Sequence, residues 1–512
     1  MGKYLLAHDL GTSGNKATLF STEGQLIASC TYNYDVYYSN NNWAEQNPND
    51  WWQAVIATTK TLIKNPKDIL AISFSGQMMG CVCVDKKQEP LRNAIIWADM
   101  RATKQTQQIA KQISPQRFYE ITGHRLSPSY GGQKLMWIKD NEPHIYAKTY
   151  KMLNAKDFII LKLTNQFVTE YSDASSTCLM DLNKLCWSDE LLNIMGIDKQ
   201  KMPKLLKSTD IAGYITNTAS ELTGLCPNTP VVCGGGDGVC AAVGTGCIKE
   251  GIAHSSIGTS SWISITTKKP IFSKNKSTFN WAHIVPGYIL PTGTMQSGGG
   301  AYSWYINKFC QYEQNLAQKE HKSIYEILEQ ELTNTSVGSN GLLFLPYLIG
   351  ERSPWWNTNA KANFIGLKME HQRKDLLRAI QEGVAMNLNI ILNVFKAENI
   401  HISELVAIGG GAKSKSWQKI FADIYNTKII LPKLLDEAAS MGAAITAGVG
   451  IGIFKDFEVV SKFISLDKII EPTPTNVKKY QKLQPIFEKA YLQLQSLFEQ
   501  LNDFSEKRVL DE

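Results

Sequence analysis

The chain has 512 residues, 43% of them hydrophobic and 20% charged, with a formal net charge of +6. That length is too great for one core and predicts two or three domains; the composition is that of a globular protein, not a disordered or fibrous one. Acidic and basic residues are interspersed without a long run of like charge, which excludes an electrostatic footprint for nucleic acid, and no apolar stretch reaches the ~18–20 residues that span a bilayer.

The apolar run after Lys3 is broken at once by His8 and Asp9. No secretory signal is read there, and a cytoplasmic protein is expected. The 10 cysteines lack a C-x-x-C pair, and the 8 histidines lack H-x-x-x-H. Buried reduced thiols are expected, and no zinc site.

Residues 4–10 and 17–21 read as two strands joined by a glycine turn. The turn, LGTSGNK, follows an apolar run as a phosphate loop would. Its spacing fits neither G-x-x-x-x-G-K-[ST] nor G-x-G-x-x-G. Residues 49–64 carry a helical pattern with Asn49 or Asp50 as N-cap. Residues 68–74 read as a buried strand ending at Ser75-Gly76. Helical patterns near 102–112, 131–140 and 155–162 make this half an α/β unit with a largely parallel sheet.

The second half begins again at strand 229–233, which stops at GGGDG (234–238). AHSSIGTSSWISITT (253–267) then echoes AHDLGTSGNKATLF (7–20): an Ala-His pair, a Gly-Thr-Ser turn and a strand-like run in each. The echo predicts two similar lobes facing one cleft. Further on come a long helix across 372–396, a strand reaching the glycine loop 409–412, a helix from Ser414 or Ser416, and a strand at 428–431. The last stretch, 475–503, reads as a packing helix with apolar positions Leu483, Ile486, Phe487, Ala490, Tyr491, Leu494, Leu497 and Phe498.

Glycine clusters stand at 11–14, 234–238, 298–301 and 409–412, each after a strand-like run. Glycine lets backbone N–H groups approach a phosphate closely, and a helix N-terminus adds a favourable dipole. Together the clusters point to a nucleotide cleft. Asp237, among glycines at a strand end, suits a general base for phosphoryl transfer to an alcohol. Asp9, beside the first turn, suits Mg²⁺ held through water.

These motifs resemble, over nearly the whole chain, the FGGY family of carbohydrate kinases, most closely its xylulokinase branch. DLGTSGNKA, WAEQNP (43–48), SGQMMG (75–80), IIWADMRA (95–102), KLMWIKDNEP (134–143), GGGDG, IGTSS, GGGA (298–301), FLPYLIGERSPWW, ANFIGLKMEHQRKDLLRAI and AIGGGAKSKSWQKIFAD stand in the family's order. The resemblance implies an α/β, two-lobed actin-like (ribonuclease H-like) ATPase fold with a central cleft. Residues 1–245 would be the sugar-binding lobe, 246–465 the nucleotide-binding lobe and 466–512 a C-terminal packing helix.

It further implies an ATP- and Mg²⁺-dependent kinase in which Asp237 activates a sugar hydroxyl. Asp9 would take the metal and phosphate position, with Thr12, Ser13 and Lys16 near the γ-phosphate. Thr259, Gly299, Gly300, Gly410 and Gly411 would contact ADP, with Ala412 near the nucleoside. Met78, Met79 and Asp237 would line the sugar, supported by Asp99 and Arg101. The implied partners are a small sugar and ATP, without nucleic acid or membrane; a homodimer is compatible with them.

Three positions depart from the xylulokinase pattern: Met79 stands where histidine is usual, Ala98 where asparagine is common, and Gly238 where Asn or Gln follows the base. Each removes a polar group near the sugar, a change that redirects specificity in sites that hydrogen-bond hydroxyls. D-xylulose is the leading acceptor; ribulose, erythritol or a deoxy sugar are alternatives. From other classes, an actin- or chaperone-like ATPase shares the phosphate turns, and a silent sugar sensor shares the pocket.

Overall fold

The computed structural model describes residues 3–40, 42–434 and 436–510, and the side chains through Phe504. Strand β1 (Tyr4–Leu10) turns back into β2 (Gly14–Ser21), and β3 (Leu26–Asn33) follows antiparallel. Helix α1 (Pro48–Leu62) carries the chain to β4 (Ile69–Gly76), which runs parallel to β1. Its cap is Asn47, not Asn49 or Asp50: the Asn47 side chain accepts the Asn49 N–H, and Pro48 fills the first turn, where no N–H is needed. Strands β5 (Ile211–Tyr214) and β6 (Pro230–Val232) complete the order β5-β6-β4-β1-β2-β3. Helices α2 (Gly131–Asn141), α3 (Ala155–Thr164) and α4 (Asp237–Gly244) belong to this half.

The second half contains β7 (Ala253–Ile257), β8 (Ser261–Ile265), β9 (Phe279–Ala282) and β10 (Ile289–Met295). Helices α5 (Gly299–Phe309) and α6 (Arg373–Ala397) lead to β11 (Glu404–Ile408). Helix α7 (Lys415–Tyr425), β12 (Lys428–Pro432), α8 (Ala438–Gly450), β13 (Leu466–Ile470) and α9 (Pro474–Leu510) follow. The sheet order is β9-β10-β8-β7-β11-β12-β13. Apart from β9, it repeats the first sheet read from β3. Three antiparallel strands are followed by parallel neighbours and an antiparallel edge. The Gly-Thr-Ser echo therefore marks a duplication: β1–β2 corresponds to β7–β8, and α1 and α6 make the same crossover.

Residues 466–470, grouped with the terminal helix on sequence grounds, form β13 at the edge of the second sheet, because Ile469 and Ile470 pair with β12. Helix α9 touches the lobe along one narrow line, burying Tyr480, Phe487, Tyr491 and Phe498. Ile486 and Leu497 lie off that line and are 54% and 43% exposed, contrary to the amphipathic reading. The cysteines are unpaired and mostly buried, but Cys186 is exposed. Among the described residues no helix is long and apolar enough to cross a membrane.

Helices α4 and α8 hold corresponding places in the two halves and pack on each other. A Cβ on Gly244 would lie 1.9 Å from the Ala438 carbonyl oxygen, and one on Gly442 would lie 1.9 Å from that of Cys240. Only glycine permits this reciprocal approach. Helix α8 also packs on β1 and β4, so the segment joins the two sheets.

Candidate active site

The first turn is held by side chains that reach its carbonyls. Tyr34 Oη donates to Gly11 O (2.6 Å) and Gln46 Nε2 to Thr12 O (2.7 Å). Trp97 Nε1 donates to Thr12 Oγ1 at 2.9 Å, tying the W-A-D segment to the turn. Ser13 is exposed.

The second turn is held from helix α5. The N–H groups of Gly299 and Gly300 donate to Gly258 O (2.7 Å) and Thr259 O (3.0 Å). These N–H groups are therefore engaged by the turn, and a nucleotide would meet the two glycines at their Cα faces. The 409–412 loop lies on the same strand end: a Cβ on Gly411 would fall 2.3 Å from Ile257 Cγ2, whereas one on Gly410 would meet nothing within 4 Å. Ala412 is buried and its carbonyl accepts from Gln418 Nε2. Thr259, Gly299, Gly300, Gly410, Gly411 and Ala412 thus gather round the end of β7.

Asp9, Thr12, Ser13 and Lys16 gather at the end of β1. The two groups are linked: Lys16 Nζ donates to Asp436 O (3.0 Å) and to Glu437 Oε1 (3.2 Å), while Lys413 Nζ reaches Asp436 Oδ2 at 2.7 Å.

Asp9 and Asp237 stand on either side of β4. Asp9 is in register with Ser75, whose hydroxyl donates to Asp9 Oδ1 at 2.7 Å, and Gly235–Gly236 pair with Ser75–Gly76 from the other side. Burial raises the Asp9 carboxyl, opposed by Ser75 and the Lys16 charge. Asp237 starts α4; Gly238 N–H donates to its Oδ1 at 2.7 Å. Its side chain is open to water yet densely walled by protein, as on the floor of a cleft. Desolvation, then the charge of Asp9, pushes its carboxyl up to about 7. No cluster of three or more His, Cys, Asp or Glu suited to a metal exists among the described residues. Mg²⁺ does not need one, since it keeps several waters and takes one or two carboxylates plus phosphate oxygens. A half-buried carboxylate with little counter-charge, as at Asp9, fits that requirement.

Met78 and Met79 follow β4. Met78 Sδ lies 2.3 Å from where a Cβ on Gly236 would stand, so it packs directly on the glycines before Asp237. Met79 has φ +66°; its N–H donates to Ser176 Oγ (2.9 Å) and its carbonyl accepts from Lys134 Nζ (2.9 Å). Asp99 and Arg101 are placed differently from a ligand-contacting pair. Arg101 forks onto Asp99, reaches Glu45 at 2.7 Å and stacks 3.8 Å from the Trp43 ring, while Asp99 Oδ2 accepts the Ala44 N–H at 2.6 Å. Both are buried and engaged with each other, and Arg101 also lies 4.9 Å from the Trp137 ring. At Gly238 a Cβ would meet nothing within 4 Å, so no neighbour occupies the space that a larger residue would take.

Two buried lysines carry more of the architecture than the sequence indicates. Lys134 Nζ donates to the carbonyls of Met79, Ile96 (2.7 Å) and Ser129 (2.5 Å), and burial pushes it down to about 7. Lys156 lies fully buried among Asp157 (2.7 Å), Asp173 (3.1 Å) and Glu170 (3.3 Å). Ser172 connects that cluster to the glycines before Asp237: its hydroxyl donates to Glu170 Oε1 (2.6 Å) and accepts the Gly236 N–H (2.9 Å). Neither lysine stands in a pattern of ligand-like spacing, and each has partners on segments other than its own helix: Met79 and Ile96 for Lys134, Glu170 and Asp173 for Lys156.

Residues 4–244 match the N-terminal domain, and residues 253–451 the C-terminal domain, of the FGGY family of carbohydrate kinases. The chain is 34% identical to a xylulose kinase of Bacillus subtilis, covering 98% of this chain and 99% of that protein. It is 32% identical to a gluconokinase of the same organism, covering 98% of each. The structure of a ligand-bound xylulose kinase from Lactobacillus acidophilus superposes with a TM-score of 0.91 at 27% identity, covering 98% of this chain and 100% of that one.

Proposed function

The chain belongs to the FGGY family of carbohydrate kinases, and from that premise we propose that it transfers the γ-phosphoryl group of ATP to a hydroxyl of a ketopentose, D-xylulose first, giving D-xylulose 5-phosphate. The observation that carries this reading is the Asp9–Asp237 pair on either side of β4, with one carboxyl held near neutrality. Asp237 takes the proton of the sugar hydroxyl as its oxygen attacks the γ-phosphorus. Lys16, Thr12 and Ser13 meet the γ-phosphate from the first lobe. Thr259, Gly299, Gly300, Gly410 and Gly411 hold the diphosphate from the second, with Ala412 under the nucleoside. Mg²⁺ at Asp9 would neutralise phosphate oxygens. Met78 and Met79 line the sugar, and Asp99 with Arg101 acts from beneath.

In this reading residues 1–245 form the sugar lobe and 246–465 the nucleotide lobe, with β13 completing the latter and α9 bracing it. Use of ATP as donor supports a cytoplasmic enzyme; a homodimer is the assembly to look for by light scattering. Family membership sets aside the actin- or chaperone-type ATPase, and the retained Asp237 argues against a silent sensor. A second reading, a sugar acid as acceptor, is favoured by the gluconokinase similarity.

The test is ADP formation by purified protein with Mg²⁺ and ATP against D-xylulose, D-ribulose, erythritol, a deoxy sugar and D-gluconate. D-xylulose is expected to give the highest kcat/KM of the neutral acceptors. If none of the acceptors accelerates ADP formation, the kinase assignment fails.

A further inference from the structure

One buried segment holds the loop before Asp237 and the loop that carries Met79. The short helix Tyr171–Ser175 and the residue after it place Ser172 and Ser176 one turn apart, and the Ser176 N–H reaches Ser172 O at 3.3 Å. Both serines are fully buried. Each commits its proton to its own segment: Ser172 Oγ donates to Glu170 Oε1 (2.6 Å) and Ser176 Oγ to Asp173 O (2.7 Å). The hydroxyl oxygens are then left to accept from two different loops. Ser172 Oγ accepts the N–H of Gly236, the residue before Asp237, and Ser176 Oγ accepts the N–H of Met79, each at 2.9 Å.

Both loops need such a hold. Met79 has φ +66°, which a long side chain keeps only where its surroundings impose it. Ser176 fixes its N–H, and Lys134 Nζ fixes its carbonyl at 2.9 Å. Gly234 and Gly236 have no side chains to anchor them. Their N–H groups donate to Ser208 O (3.0 Å) and Ser172 Oγ. Glu170 stands behind both contacts, since Ser208 Oγ donates to its Oε2 at 2.7 Å.

Glu170 is itself locked. It accepts the N–H groups of Ser172 (2.8 Å) and Asp173 (2.9 Å) and lies 3.3 Å from Lys156 Nζ, which Asp157 and Asp173 also surround. All four charged residues are fully buried. Desolvation of so many charges offsets their mutual attraction, so the cluster adds little to stability.

We propose that Ser172 and Ser176 are positioning residues that set the separation of Asp237 from the Met78–Met79 strand end, Ser172 acting on the base and Ser176 on the acceptor loop, with Glu170 and Lys156 as their fixed support. The proposal rests on the kinase reading of the site. A base must stand at hydrogen-bond distance from the hydroxyl whose proton it takes, and a misplacement of about 1 Å costs on the order of 10²-fold in rate. The buried charges contribute a single geometry at that point, where apolar packing of equal stability would leave the segment free to shift.

The test measures ADP formation with whichever of D-xylulose, D-ribulose, erythritol and D-gluconate gives the highest kcat/KM. Ser172→Ala should lower kcat by about 10- to 100-fold, with acceptor KM within about twofold of wild type. Ser176→Ala should raise acceptor KM by about 5- to 20-fold, with kcat within about twofold. Neither should change KM for ATP. Ser175→Ala is the control. Its hydroxyl donates to Ser172 O at 2.6 Å instead of supporting a loop, so the variant loses a buried hydrogen bond of the same turn and should keep both constants within about twofold. Ser172→Cys and Ser176→Cys, close in size but weaker acceptors, should move the same constants less far, and they decide the question where an Ala variant does not fold. If Ser172→Ala and Ser176→Ala move the same constant, move neither, or match Ser175→Ala, the proposal is overturned and the kinase reading stands. If no acceptor stimulates ADP formation by the unmodified protein, the kinase reading falls and the proposal with it.

Discussion

Asp237 begins a helix, where a carboxylate ordinarily gains from the dipole and titrates low. Here desolvation and the neighbouring charge of Asp9 outweigh the dipole and the Gly238 N–H, and the carboxyl rises to about 7. A base must be ionised, so kcat/KM of the free enzyme should fall as pH drops through about 7; a flat profile between pH 6 and 8 would remove Asp237 from that role. The sign for stability is opposite. Folded protein keeps a proton there that the unfolded chain loses at lower pH, so this group weakens folding as pH rises from the ordinary carboxylate range to about 7. Asp237→Asn should therefore lower kcat by at least about 10²–10⁴-fold and raise the melting temperature at pH 8, with acceptor binding retained. Asp9 and Asp237 were legible because each ends a strand beside glycines. The Lys156–Glu170–Ser172 support under Gly236 was not, since a buried charge cluster has no local pattern and forms only when distant segments fold together.

At the scale of elements, the α4–α8 crossing depends on two missing side chains. Gly442→Ala places a methyl group against the Cys240 carbonyl and must spread the helices; a loss of about 1–3 kcal/mol is expected from overpacking, read as a lower midpoint in urea. Gly238→Ala, one turn from the same crossing but with nothing within 4 Å, is the control and should keep the wild-type midpoint. Equal midpoints for both variants would show that the crossing is not under that constraint. The elements legible in sequence were those with strong periodicity or glycine punctuation: both hairpins, β4, α6 and the 409–412 loop. The echoed Ala-His pairs proved to be core residues, His8 and His254, kept neutral by burial. Strand β13 was missed because LDKII is short and mostly exposed, so only its pairing with β12 defines it. The outward turn of Ile486 and Leu497 was missed because a wide apolar stripe does not reveal how narrow the receiving groove is.

Across the whole molecule, the two halves meet at the phosphate end through Lys16 and the 436–437 corner. Lys16 Nζ is held by Glu437 at 3.2 Å, with side chains 28% and 13% exposed. The same ammonium, on the first-lobe turn, is the group proposed to meet the γ-phosphate, so Glu437 and ATP compete for it. A partly exposed pair of this kind contributes roughly 0.5–1 kcal/mol, or about two- to fivefold in an equilibrium. Glu437→Gln should therefore lower KM for ATP by about that factor while leaving acceptor KM unchanged, and the gain should shrink as salt rises. Lys16→Met should raise KM for ATP and lower kcat together, because it removes the competitor's target and the phosphate's partner at once. Phosphoryl transfer to water requires the hairpins to approach without a sugar filling the cleft, so wild-type ATP hydrolysis alone should be measurable but slow. Glu437→Gln should raise that background rate at limiting ATP in proportion to the tighter binding and not at saturating ATP. A background rate that rises equally at saturation would mean that the Lys16–Glu437 pair restrains lobe closure itself instead of merely occupying the ammonium.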